Sequence, residues 1–238
     1  MMSNSGIKAL VFDVFGTVVD YRGSIIREGE LLNKQKGLHI DWGKIANAWR
    51  GRYRPALDRV LQGETPWAKL DEIHRRALDE TLDEAGISAF TEDEKVHLNG
   101  VWHRLMPWPD AIPGLTQLRR HFMLVTLSNG NMSLLARMAK YSGLPWDCIL
   151  STELVRSYKP DPHTYQMVIN LLDLLPGEIM LVASHQYDLL AAHGQGLKTA
   201  FILRPLEHGP EHTPDLTPDP RFDFVASDLL NLAQQLDA

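Results

Sequence analysis

From Asp110 onward, short apolar runs rich in β-branched residues alternate with helix-length segments, and that alternation leaves few folds open. The runs are Phe122–Leu127, Cys148–Thr152, Ile179–Ala183, Lys198–Leu203 and Phe222–Ala226. Leu115–Arg120, Ser133–Tyr141, Pro162–Leu175 and Leu189–Gly194 read as helices between them, the second closed by Gly143. Strands joined through helices run parallel, and the helices then cover both faces of the sheet. One further apolar run, Ile7–Phe12, stands far upstream. The residues between are almost wholly helical in pattern: Arg22–Lys36, Asp41–Gln62, Pro66–Ala85 and Thr91–Leu105, broken by turn signals at Gly37, Gly63-Glu64-Thr65 and Gly86. Met106-Pro107-Trp108-Pro109 reads as an extended linker, because each proline disfavours helix at the residue before it. The expected architecture is α/β. A Rossmann-like parallel-sheet core is formed by residues 1–18 and 110–238, and residues 19–109 form a helical cap subdomain inserted after the first strand. Residues 205–220, rich in Pro, His, Glu and Asp, read as a long surface loop.

Composition narrows the function. A chain of 238 residues buries roughly 70–75% of its unfolded surface, enough for one sizeable core and a subdomain. With 24 Lys and Arg against 30 Asp and Glu, the net charge of −6 offers no general attraction to nucleic acid or an anionic membrane. The single Cys148 excludes an intrachain disulfide and a cysteine-rich zinc site. No signal peptide is visible and no apolar run is long enough to span a bilayer, so a reducing cytoplasm is expected.

Ligands of doubly wound sheets sit beyond the carboxyl ends of the strands. Asp13, Ser128 and Ser184 all occupy such ends. In Asp13-Val14-Phe15-Gly16-Thr17 a carboxylate follows a buried strand and faces a glycine turn, where it can act as a covalent nucleophile; the Thr17 hydroxyl can hydrogen-bond it. Ser128-Asn129-Gly130 either binds an anionic group or caps the next helix. Lys159, in Tyr158-Lys159-Pro160-Asp161-Pro162, is a surface lysine or the cation that keeps a neighbouring Asp ionised. His185 either packs or activates water near neutral pH, and Asp188 orients it, holds Lys159 or caps a helix.

The order Asp13 and Thr17, Ser128-Asn129, Lys159-Pro160, Asp188 resembles the haloacid dehalogenase superfamily over essentially the full chain, and more narrowly its type II (S)-2-haloacid dehalogenases. Phosphatases of that superfamily carry a second Asp two residues after the nucleophile, where this chain has Phe15, and an acidic metal ligand where it has Ser184. A halide needs no proton to leave, and Mg²⁺ binding generally needs carboxylates. The resemblance therefore implies a metal-free enzyme without cofactor that hydrolyses small 2-haloalkanoic acids through an aspartyl ester on Asp13.

By the same resemblance Lys159 keeps Asp13 anionic and Asp188 holds Lys159. Arg50, following Trp49 in the insertion, meets the halogen, although Arg52 and Arg54 nearby also suit a solvated basic face. Phe15, Ser128, Asn129, Tyr165 and Ser184 are placed around substrate or halide, and a homodimer through the insertion is implied. Two positions depart from the dehalogenase pattern: His185 stands where Asn is commoner, and Ala183 where Ser is usual. Chemistry alone then assigns the water to His185, since imidazole is a competent base and a neutral amide is not. Rival readings are a phosphatase, an enzyme opening a strained ring acid such as azetidine-2-carboxylate, and a non-catalytic module on the same fold.

Overall fold

The computed structural model describes residues 6–238. The first strand, β1 (Ala9–Phe12), is followed by β2 (Val19–Asp20) and five helices: α1 (Tyr21–Lys36), α2 (Trp42–Gly51), α3 (Tyr53–Leu61), α4 (Leu70–Glu84) and α5 (Glu92–Asn99). A short 3₁₀ turn leads into β3 (Met106–Pro107), which pairs antiparallel with β2, so the stretch expected to be only a linker closes the root of the insertion. The core then runs α6 (Ala111–Leu118), β4 (Met123–Ser128), α7 (Met132–Ser142), β5 (Cys148–Ser151), α8 (Pro162–Leu172), β6 (Ile179–Ala183), α9 (Gln186–Gly194), β7 (Lys198–Ile202), β8 (Phe224–Ala226) and α10 (Leu229–Gln235). Six parallel strands form one sheet in the order β5-β4-β1-β6-β7-β8.

Strand periodicity builds two cores, one on each face. Leu10, Phe12, Leu124, Met180 and Val182 point to the face that also packs against the insertion. Val11, Val125, Leu127, Leu181 and Ala183 point to the other, against Tyr165, Val168 and Leu189. The central strand β1 is fully buried, and each such Leu or Phe contributes about 1.5–3 kcal/mol. The first core continues through Tyr21, Trp49 and Trp102, so the insertion shares a hydrophobic interior with the sheet.

Three elements differ from the expectation, each for a local reason. The helix expected over 41–62 is two helices that break at Arg52. Pro55 lacks the N–H that would reach the Gly51 carbonyl, and its ring crowds that group. Helix α6 starts before Pro113 rather than after it, because proline is tolerated in a first turn. Helix α10, not anticipated at all, is capped by Asp228, whose carboxylate accepts from Asn231 N–H at 2.7 Å. It packs on α6 at Gly114, where a Cβ would stand 2.8 Å from Leu229.

Candidate active site

β1 lies between β4 and β6, and the site forms beyond the carboxyl ends of these three strands. Asp13 N–H donates to Val182 O at 3.0 Å, which ties the residue after β1 to its neighbour. Gly16 takes φ +83°, a left-handed conformation that lets the chain turn at once and bring Thr17 back beneath Asp13. Thr17 Oγ1 donates to Asp13 Oδ2 at 2.8 Å and accepts from Ser184 N–H at 2.9 Å, joining the ends of β1 and β6.

A charged chain runs through the buried interior. Lys159 Nζ donates to Asp13 Oδ1 at 2.8 Å and also to Asp188 Oδ2, while Tyr165 OH donates to Asp188 Oδ1 at 2.6 Å. Burial by itself raises the Asp13 carboxyl, but Lys159 and then His185 more than offset it and hold it far below the usual carboxylate range. Burial likewise works against the Lys159 charge, and Asp13 and Asp188 together keep it above its ordinary value.

His185 Nδ1 lies 3.0 Å from Asp13 Oδ2, and Nε2 lies 3.0 Å from Glu207 Oε1. Burial disfavours the imidazolium, yet Glu207 and Asp13 push its pKa up to about 10. The resting imidazole is therefore protonated at neutral pH, which corrects the expectation of a free base with an ordinary pKa. A base role requires that one of these two anions be neutralised first.

A cavity of about 580 Å³ opens from this cluster and is lined by Arg50, Tyr53, His185, Tyr187, Glu207 and His208 among others. The Arg50 guanidinium carbon stands 4.1 Å from the Tyr53 ring centroid and 4.9 Å from that of Tyr21. Its Nη1 is buried without a hydrogen-bond partner, which leaves a donor for an anion. Arg52 and Arg54 are otherwise engaged: Arg52 pairs with Glu84, and Arg54 pairs with Asp58 at 2.8 Å.

Ser128, Asn129 and Phe15 are buried close to Asp13, behind the cavity lining. Ser128 Oγ accepts from Gly130 N–H at 3.2 Å, so the hydroxyl organises its own turn and keeps its proton free to donate. The Asn129 side chain acts mainly as a brace: Nδ2 donates to Tyr53 OH at 2.8 Å and Oδ1 accepts from Lys159 N–H at 2.8 Å. Phe15 is buried edge-on against Trp102, with ring centroids 5.8 Å apart, and forms the apolar wall behind Asp13.

Two placements are corrected. Tyr165 is fully buried in the second core and touches Asp188, because the first turn of α8 packs on the face of the sheet beneath the central strands. Ser184 Oγ lies 3.0 Å from Thr17 Oγ1, so it supports the Thr17 turn instead of facing the cavity.

Glu207 was missed, and nothing in its sequence neighbourhood marks it, since it stands in an aperiodic segment. Tyr53 and Tyr187, which also line the cavity, were not assigned either: an aromatic at helical spacing such as Tyr53 reads as core.

The donor set does not fit a hard divalent cation. Lys159 already bridges the two acids, Asp13 and Asp188, and the Ser184 hydroxyl is turned to Thr17. Among the described residues no three His, Cys, Asp or Glu side chains are grouped as metal ligands.

A buried carboxylate at the switch point of a six-stranded parallel sheet, covered by a helical insertion, marks the crevice where a doubly wound α/β protein binds its ligand. The family of haloacid dehalogenase-like hydrolases matches residues 7–196, and the chain belongs to that family. It is 30% identical over 202 residues to (S)-2-haloacid dehalogenase 1 of Pseudomonas sp. (strain CBS-3), covering 83% of this chain and 85% of that protein. Among solved structures it is similar to an L-2-haloacid dehalogenase at 45% identity and a TM-score of 0.92, covering 97% of this chain and 100% of that one. A defluorinating L-2-haloacid dehalogenase is 46% identical with a TM-score of 0.93, covering 98% and 96%. No helix among the described residues is long and apolar enough to cross a membrane.

Proposed function

We propose that this chain hydrolyses the carbon–halogen bond of small (S)-2-haloalkanoic acids, giving 2-hydroxy acids through an ester on Asp13. The observation that carries the reading is a buried Asp13 held anionic by Lys159, with Phe15 where a leaving-group acid would stand.

The substrate halogen lies toward the unpartnered Nη1 of Arg50, and the carboxylate toward the hydroxyls of Ser128 and Tyr53. An Asp13 carboxylate oxygen attacks C2, the carbon–halogen bond breaks, and the halide leaves with the bonding pair as configuration inverts. Positioning in such a site supplies up to ~7–11 kcal/mol of the barrier. Halide stabilisation by one well-placed donor adds about 3 kcal/mol. Alkylation neutralises Asp13, so His185 loses one anionic neighbour and releases a proton to solvent. Water then attacks the Asp13 carboxyl carbon as the neutral imidazole takes its proton, and collapse of the adduct expels the 2-hydroxy acid and restores the carboxylate.

In a single turnover in ¹⁸O-water, the label is expected first in the Asp13 carboxylate, read by mass spectrometry of the peptide; label appearing directly in product refutes the ester. Chloride release from (S)-2-chloropropionate is expected to continue in EDTA. A cytoplasmic location fits the unpaired Cys148, and a homodimer through the insertion is the assembly that light scattering tests.

A further inference from the structure

Glu207 is almost fully buried beside the cavity although it belongs to a segment with no helix or strand. The chain is pinned on both sides of it. Arg204 donates from Nε to Thr17 O at 2.9 Å and forks onto Asp110 at 2.7 and 2.8 Å. His208 Nδ1 lies 2.7 Å from Tyr21 OH. Space for the carboxylate exists because Gly16 carries no side chain: a Cβ there would stand 2.2 Å from Glu207 Oε1. The turn that presents Asp13 thus also seats Glu207.

We propose that Glu207 is a positioning residue for the second half-reaction: it accepts the Nε2 proton of His185, so that Nδ1 faces the Asp13 carboxyl and takes the proton of the attacking water. The inference rests on the dehalogenase reading above and names how its hydrolytic step is controlled. The two nitrogens of an imidazole differ according to what the far one binds, and a carboxylate on the far nitrogen fixes both tautomer and ring orientation. Here the far nitrogen faces Glu207 and the near one faces Asp13, each at 3.0 Å. In the resting enzyme both carboxylates hold His185 protonated. Ester formation removes the charge of Asp13 and leaves that of Glu207, so the imidazole can lose its Nδ1 proton without losing all basicity.

His74 shows the contrast. It is buried among aromatic rings, neither ring nitrogen has a hydrogen-bond partner, and burial drives its pKa well below the ordinary value. The proton count closes: alkylation releases one proton and one halide, water returns a proton to Nδ1, and the departing alkoxide takes the remaining hydroxyl proton of the adduct. Besides Asp13 and Glu207, the ionisable groups around His185 and its partners include Lys159, Asp188, Arg50 from α2, Tyr21 from α1, Tyr53 from α3, Tyr187 from α9 and His208 from the Glu207 segment.

The test compares wild type with Glu207→Gln and Glu207→Asp on (S)-2-chloropropionate, using rapid-quench chloride release and the mass of the Asp13 peptide. In Glu207→Gln the chloride burst is expected to stay within about threefold of wild type, while decay of the Asp13 ester slows about 10²-fold and one ester per site accumulates. Glu207→Asp is expected to recover part of the decay rate. An ester that decays at the wild-type rate overturns the proposal, as does an equal loss of burst and decay. Independently, ¹⁵N-histidine NMR on substrate-free protein is expected to show the His185 pKa lowered in Glu207→Gln; no change refutes the control of His185 by Glu207. If wild type forms no Asp13 adduct with 2-haloacids, the dehalogenase reading falls, and the NMR result still decides the Glu207–His185 coupling.

Discussion

Replacing Lys159 by Met removes the one ammonium that lies between Asp13 and Asp188 while keeping most of the side-chain volume. At the observed 2.8 Å to Asp13 Oδ1, a pair of unit charges in a medium of effective dielectric about 20 interacts by about 6 kcal/mol, or roughly 4 units of pKa. Burial of Asp13 is unchanged by the substitution and still opposes its charge. Asp13 and Asp188 would then lose the cation between them, and only His185 would remain to offset the burial of Asp13. In wild type the Asp13 pKa is depressed, so the nucleophile stays ionised at every pH above the ordinary carboxylate range, and the stability of its ion pair is lost only as pH falls below that range. In Lys159→Met the acid limb of the chloride burst is expected to rise by about 4 pH units into the accessible range, so that the burst falls about tenfold for each pH unit below that limb and is restored above it. Breaking a buried pair also destabilises by about 3–5 kcal/mol, so circular dichroism must first show a folded variant. A folded Lys159→Met protein with a near wild-type burst at pH 6 and no displaced acid limb would refute the charge argument for Asp13.

Arg50→Met keeps a long apolar stem over Tyr21 and Tyr53 but loses the free donor, so single-turnover halide release is expected to fall about 10²-fold with ester decay unchanged, as read by rapid quench. Because the His185 pKa is raised from 6.5 to about 10, its contribution to stability is fully present below pH 6.5 and is lost as pH rises through 10. That contribution is up to ~5 kcal/mol, and urea unfolding of His185→Gln should therefore fall less steeply than wild type between pH 6 and 10.

The sheet was legible because each strand alternates between two faces that both bury, so apolar runs such as Ile179–Ala183 stand out from their helical neighbours. The division of labour at the site was less legible. Tyr165 and Ser184 lie at the right sequence spacing, yet the side chains turn away to serve Asp188 and Thr17. Spacing places a residue at a strand end; it does not say which hydrogen bond wins the side chain. Arg50, Arg52 and Arg54 illustrate the same limit, since the acidic partners of Arg52 lie on α4, far along the chain.

Glu207 could not be found from sequence because its position depends on contacts across long separations. Its segment has no periodicity, and it is held by Arg204 on Asp110 and by His208 on Tyr21. The space it fills is created by the missing side chain of Gly16, nearly the whole chain away. Gly16 thus has two requirements on it, a left-handed turn and room for a carboxylate, and either alone would account for the glycine. The coupling joins the two half-reactions physically: the backbone that aims Asp13 at C2 also admits the acid that orients His185. The leaving-group side and the water side of the site are built from different partners: Phe15 packs against Trp102 on the side of the insertion, while His185 is held between Asp13 and Glu207.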